Sequence, residues 1–157
     1  MTPEVVLGEA GPGDAADLAA ISKRSFDSDA EVGAPGPGGP RGYADPGWQE
    51  RMMRAGDYWR ILADGVLVGG VVVLSMGPQH REVGRIFIDP AVHRRGIGRR
   101  AMYLVMEAYP AARRWTLDTP VWNVRARRFY EGLGFRNTGH RAVPGGPELV
   151  LYERLGD

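Results

Sequence analysis

Residues 86 to 99 restrict what this chain can become more than any other stretch: Ile86-Phe87-Ile88-Asp89-Pro90-Ala91-Val92-His93-Arg94-Arg95-Gly96-Ile97-Gly98-Arg99. A short apolar run, rich in β-branched residues, stops at Asp-Pro. A basic turn carrying two glycines follows. An apolar pattern at helical spacing then begins at Ala101 and runs through Met102, Leu104, Val105, Met106 and Ala108. The order is strand, turn, helix, and the first amides of such a helix have no intrahelical acceptor. Gly96 and Gly98 lack the Cβ atoms that would hold a ligand off the backbone. The helix dipole favours an anion at the same place, as do Arg94, Arg95, Arg99 and Arg100. The stretch therefore reads as a phosphate-holding turn. It is not a Walker A loop, because no Gly-Lys-Ser/Thr follows, nor a dinucleotide fingerprint, because the G-x-G-x-x-G spacing is absent. A tight turn with a solvated arginine cluster is the plainer reading of the same residues.

The rest of the chain narrows the partners of that turn. Its 157 residues suit one domain over 1–157, with enough chain to bury a core. There is no cysteine, which excludes disulfides, thiolate metal sites and a covalent cysteine intermediate on this chain. No His, Asp or Glu spacing supports a metal site. No apolar run approaches a membrane span and no signal-peptide pattern opens the chain, so a cytoplasmic protein without membrane partners is expected. The net charge of +1 hides an asymmetry. Residues 1–80 carry six basic and eleven acidic side chains, whereas residues 81–141 carry thirteen arginines against five acids. A basic half suggests an anionic partner. With near-neutral total charge and arginines concentrated at one glycine turn, an anionic cofactor is expected rather than nucleic acid.

In chain order, Val5-Val6-Leu7 predicts a strand, and Asp14, with Asp17 three residues on, predicts the cap of a helix striped by Leu18, Ile21 and Phe26. Residues 27–47, with Gly33-Ala34-Pro35-Gly36-Pro37-Gly38-Gly39-Pro40 at their centre, predict a flexible loop, either a lid or a passive connection. Asp45 caps a second helix through Trp48, Met52 and Met53. Tyr58 to Ala63, the hairpin turn Asp64-Gly65 and Val66 to Leu74 predict two antiparallel strands. A third strand, Arg81 to Asp89, feeds the turn. After a helix at 97–109, the strand Trp115 to Thr119 is expected to run parallel to it, because a helix lies between them. Asn123 opens another helix, closed by Gly132 and Gly134, and two strands finish the chain.

The segment Asn123-Val124-Arg125-Ala126-Arg127-Arg128-Phe129-Tyr130-Glu131-Gly132-Leu133-Gly134-Phe135 fits N-x-x-A-x-x-x-Y-x-x-x-G-F. With the glycine turn and the Ala-Asp-Gly hairpin, the chain resembles the GNAT superfamily of acyl-CoA-dependent N-acetyltransferases. The resemblance extends over nearly the whole chain. It implies an α/β (α+β) fold with a mixed, mostly antiparallel, splayed β-sheet flanked by helices. It implies that amides and side chains of Arg94, Arg95, Gly96, Ile97, Gly98 and Arg99 hold the pyrophosphate of acetyl-CoA. It also implies that Ile86, Phe87 and Ile88 pair their backbone with pantetheine as if with an added strand. An N–H near Ile88 would then stabilise an oxyanion. The family turn usually begins with Gln or Arg, where this chain has His93. Tyr130 matches the family's general acid, and tyrosine suits the task because it stays protonated at neutral pH. Asn123 stands where the family has an asparagine that contacts cofactor or acceptor. Glu82 is the candidate general base. It lies six residues before Ile88 on one strand, which predicts that both side chains share a face. Asp45, Glu31 and His80 are poorer candidates.

The expected reaction is direct transfer of an acetyl group from acetyl-CoA to a primary amine on a small molecule or peptide, in a ternary complex, by a monomer or homodimer. The alternative is a non-catalytic acyl-CoA-binding or regulatory domain of the same fold. A nucleic-acid binder using the arginine-rich half is a third class. The acidic residues Asp27, Asp29, Glu31 and Asp45 around the loop hint at a cationic amine, although a solvated surface explains them equally simply.

Overall fold

The computed structural model describes residues 2–156. Seven strands form one sheet in the order β1-β2-β3-β4-β5-β7-β6. In chain order the elements are β1 (Val5–Glu9), α1 (Ala15–Asp27), α2 (Pro46–Ala55), β2 (Asp57–Ala63), β3 (Val66–Gly77), β4 (His80–Ile88), α3 (Ile97–Glu107), β5 (Arg114–Pro120), α4 (Val124–Gly132), β6 (Arg136–Ala142) and β7 (Glu148–Leu155). Every neighbouring pair of strands is antiparallel except β4 and β5. This is the mixed, mostly antiparallel sheet flanked by helices that the sequence implies.

The hairpin between β2 and β3 turns on Asp64 and Gly65, both at positive φ (50° and 81°), which matches the twist of the strands it joins. β3 is an interior strand, paired with β2 on one side and β4 on the other. Its Val71, Val72 and Val73 are all buried because helices cover both faces there, so the run is continuously apolar rather than alternating. On one face, Val71, Val73 and Val83 pack with Ile97, Ala101, Met102 and Val105 of α3, with Tyr130 of α4 and with Leu133 just after it. On the other, Val72 and Phe87 pack with Leu18 and Ile21 of α1, with Trp48 and Met52 of α2 alongside. Those two helices cover β2 to β4 and leave the same face of β5, β7 and β6 free of helix.

The pairing of β4 with β5 is short. His80, Arg81 and Glu82 pair with Arg114, Trp115 and Thr116, and the two strands then diverge. The cause lies in β4 itself. Against β3, Val72 pairs with Arg85 and Val73 with Val83, leaving Gly84 unpaired in a β-bulge. A bulge bends its strand and increases the local twist, and this one falls two residues after Glu82, the last residue paired to β5.

Two sequence expectations need correction. The bulge reverses the alternation, so Val83, not Glu82, shares a face with Ile86 and Ile88. Glu82 pairs with Leu74, which packs on the α1–α2 side, and so points to the face opposite Ile88. Asp14 stands at the N-cap position of α1 but caps nothing there. Its carboxylate accepts from the Gly11 amide and pairs with Arg60 instead. Asp45 does cap α2, accepting from the Gly47 amide. Residues 28–32 continue α1 as a 3-10 turn, and the rest of the 27–47 segment is irregular until Pro46. The segment is tied down by Tyr43 donating to Asp27 and by Arg85, which donates to the Arg41 carbonyl while stacked 3.8 Å from the Trp48 ring centroid.

Candidate active site

The divergence of β4 from β5 opens a gap whose β4 wall is bare backbone. The Asp89 amide donates to Val68 on β3. By the alternation of an antiparallel ladder, the amides of Ile86 and Ile88 point the other way, into the gap. Phe87, expected to pair with a ligand, sends its side chain into the α1–α2 core and, by the same alternation, its amide toward β3, so it offers a ligand in the gap neither. Ile86 and Ile88 line the α3–α4 side. His93, the residue that departs from the family pattern, is not idle. Its Nε2 lies 2.9 Å from the Ile88 carbonyl oxygen, so it donates there and ties the turn to the end of β4.

The turn at the mouth of the gap leaves backbone amides without partners. Arg94 and Gly96 both take positive φ (66° and 75°), and Gly96 is the N-cap of α3 without a side chain to cap it. The first amides of α3 are thus left for an external acceptor. A Cβ on Gly96 would meet nothing within 4 Å, so open space lies in front of it. Arg94 and Arg95 are exposed around this space. Ile97 offers only its amide, because its side chain is core. Arg99 also offers only its amide. Its guanidinium stacks on Tyr103, donates to the Tyr103 hydroxyl and reaches the Gly132 carbonyl, bracing α3 against α4.

Tyr130 of α4 packs into the core on the α3–α4 side of the sheet. Its ring is held edge-on by Phe129 and Phe135 and tilted against Tyr152. None of the hydrogen bonds among the described residues uses its hydroxyl. Burial, with the negative charges of Asp118 and Asp29 nearby, pushes its pKa far above the ordinary tyrosine value. It is held as a neutral O–H donor. Asn123 is buried and caps α4, its Oδ1 accepting from the Ala126 amide at 3.0 Å. Its Nδ2 also faces Asp29 at 3.5 Å, and Arg125 pairs with Asp29 at 3.0 Å. The first residues of the 27–47 segment therefore form a strap from the end of α1 to the start of α4. Burial raises the Asp29 pKa in spite of Arg125.

Glu82 stands at the apex of the divergence, at the last position paired to β5. It lines a cleft of about 240 Å³ on the helix-free face, with His80, Thr116, Asp118, Thr138 and Arg141. Three of the four acids around the loop are paired in place, Asp27 with Lys23, Asp29 with Arg125 and Asp45 with Arg51, and Glu31 has no ion pair among the described residues. Glu82 forms no ion pair among the described residues. Sequence reasoning missed Thr116 and Asp118 and took Asp29 only as one of the acids around the loop, because their placement depends on strand register and on where the strap lands. Among the described residues no cluster of His, Asp and Glu is placed to hold a metal ion. No helix among them is long and apolar enough to cross a membrane.

Comparison with known proteins gives this geometry a family. In fold the chain is similar to a PaiA N-acetyltransferase from Thermoplasma acidophilum solved in complex with coenzyme A, with a TM-score of 0.79 at 13% identity over 98% of this chain and 99% of that one. It is similar to an acetyltransferase from Thermus thermophilus, with a TM-score of 0.78 at 21% identity over 99% of both chains. In sequence it is 33% identical over 73 residues to the uncharacterised protein YrkN of Bacillus subtilis (strain 168), a match spanning 46% of this chain and 40% of that protein. The family model for GNAT acetyltransferases matches residues 25–135, from the end of α1 through both sequence motifs. The chain belongs to the acetyltransferase (GNAT) family.

Proposed function

We propose that the protein transfers an acetyl group from acetyl-CoA to a primary amine by direct attack in a ternary complex. The gap and the turn suit acetyl-CoA. The free amides of Ile86 and Ile88 offer strand-like hydrogen bonds to the amides of pantetheine. The open amides of Gly96, Ile97, Gly98 and Arg99, with the exposed Arg94 and Arg95, suit its pyrophosphate. Acetyl-CoA supplies the activated acyl group, and the protein's own residues supply positioning and proton transfer.

The observation that carries the reading is the Tyr130 hydroxyl: neutral, without a hydrogen-bond partner among the described residues, and carried by a tyrosine whose ring is buried among Phe129, Phe135 and Tyr152. A hydroxyl with no structural bond to make is free to donate its proton to a departing thiolate. Glu82 takes the proton that the amine must lose, from the opposite face of the sheet and across the point where β4 and β5 part. With the acid and the base on opposite sides of this opening, cofactor and acceptor enter from opposite sides. The absence of cysteine closes a route through an acyl-cysteine.

The test is acetyl transfer from acetyl-CoA over a panel of primary amines, including polyamines, amino acids and peptide N-termini, followed by free-thiol release. Amine-dependent thiol release supports the proposal. Tight binding of coenzyme A with no amine-dependent release across the panel contradicts it.

A further inference from the structure

Glu82, Thr116 and His80 form a single line of hydrogen bonds on the helix-free face of the sheet. Thr116 Oγ1 lies 3.2 Å from Glu82 Oε1 and 2.7 Å from His80 Nε2. The short parallel pairing sets the line up. Glu82 and Thr116 are register partners, and His80, two positions back on β4, is on the same face as Glu82. The whole array sits at the closed end of the gap, where the backbone is still fixed by pairing on both sides.

The inventory of donors gives the line a direction. An ionised carboxylate only accepts, and a threonine hydroxyl has one proton to give. Thr116 therefore donates to Glu82 and keeps only lone pairs for His80, so His80 must carry its proton on Nε2. We propose that His80 is a positioning residue for the general base. Acting through Thr116, it fixes Oε1 of Glu82 and leaves Oε2, which has no hydrogen-bond partner among the described residues, for the acceptor amine. In that step an N–H bond of the bound ammonium breaks and its proton joins Oε2. The nitrogen keeps the electron pair with which it attacks. The role in catalysis rests on the acetyl-transfer reading, whereas the line of hydrogen bonds does not.

The chain has three histidines, which keeps imidazole NMR tractable. Long-range proton–nitrogen correlation spectra of the free protein at pH 8, with His80 assigned through His80→Gln, are expected to show the Nε2–H tautomer. Thr116→Val removes the hydroxyl and is expected to abolish that preference, and Thr116→Ser is expected to retain it. An Nδ1–H His80, or one indifferent to Thr116→Val, overturns the line of hydrogen bonds. With the best acceptor from the amine panel, Thr116→Val and His80→Gln are each expected to lower kcat roughly ten- to hundredfold, with KM for acetyl-CoA unchanged. The double variant is expected to be no slower than the slower single one, and Thr116→Ser to keep most of the activity. An unchanged kcat in either single variant overturns the positioning role. If the unaltered protein fails to bind coenzyme A in calorimetry, the acetyl-transfer reading fails by itself, and the tautomer measurement still decides the hydrogen bonds.

Discussion

Replacing Tyr130 with Phe separates chemistry from packing at this site. The tyrosine is 9% exposed, and its ring supplies contacts to Phe129, Phe135 and Tyr152. Phenylalanine keeps all of them. The hydroxyl it removes has no hydrogen-bond partner among the described residues, so no buried group is orphaned. A neutral hydrogen bond lost from a core usually costs about 1 kcal/mol, and none is lost here. In a protein of this size about 1 kcal/mol moves Tm by roughly 2–4 °C, so the melting temperature should stay within about 2 °C. Removing a general acid lowers a rate by about 10²- to 10⁴-fold. The expected result is therefore a kcat down by at least about a hundredfold with stability and coenzyme A affinity nearly unchanged. Differential scanning fluorimetry, calorimetry with coenzyme A and steady-state thiol release measure the three quantities. A fall in Tm of several degrees would show the hydroxyl to be structural. An unchanged kcat on a responsive amine would show that it does not protonate the leaving group. Either result refutes the reasoning.

Two further outcomes follow from the turn and its flank. Gly98 needs no positive φ, and a Cβ there comes only to 3.4 Å from the Phe129 ring, so Gly98→Glu folds. A carboxylate in the first turn of α3 competes for the same amides as a phosphate and is expected to weaken coenzyme A binding at least about tenfold without lowering Tm. Asp89 is partly desolvated, which raises its pKa, but the Arg24 guanidinium and the Ala91 amide outweigh burial and leave the pKa below its usual value. A depressed carboxylate adds stability above its unfolded pKa and loses it as pH falls through the folded value. Asp89→Asn is thus expected to lower stability by about 1 kcal/mol at pH 7. The gap between the two proteins should close below pH of about 4, in urea titrations across pH.

The parts of the fold written in local patterns could be read from the residues. Asp64-Gly65 announces its hairpin, Asp45 its helix cap, and the glycine turn its strand and helix, because each depends on neighbours in the chain. The parallel placement of β5 beside β4 follows from the helix between them. The face of Glu82 is harder to read. Counting six residues back from Ile88 assumes an unbroken alternation, and Gly84 breaks it with a bulge, of which a lone glycine inside a strand is the local sign that the count ignores. Asp14 shows the same limit, since a residue at a cap position took distant partners, Arg60 among them. The charge of the first half of the chain also misleads when read as a sum. Of its acids near the loop, Asp27, Asp29 and Asp45 are paired with Lys23, Arg125 and Arg51, whereas Glu82, which lines the cleft, forms no ion pair among the described residues. Thr116 and His80 gain meaning only through the register of β4 on β5, and Asp29 only through the path of the strap to α4.

The central claim is that coenzyme A lies along the bare edge of β4 with its phosphates on the turn. Hydrogen–deuterium exchange resolved to single amides, with and without coenzyme A, tests it directly. The amides of Ile86, Ile88, Gly98 and Arg99 should exchange quickly in the free protein and become protected on binding. Those of Phe87 and Asp89, already committed to β3, should change little. Uniform protection across the sheet, or protection confined to the helix-free face of β6 and β7, would contradict the account.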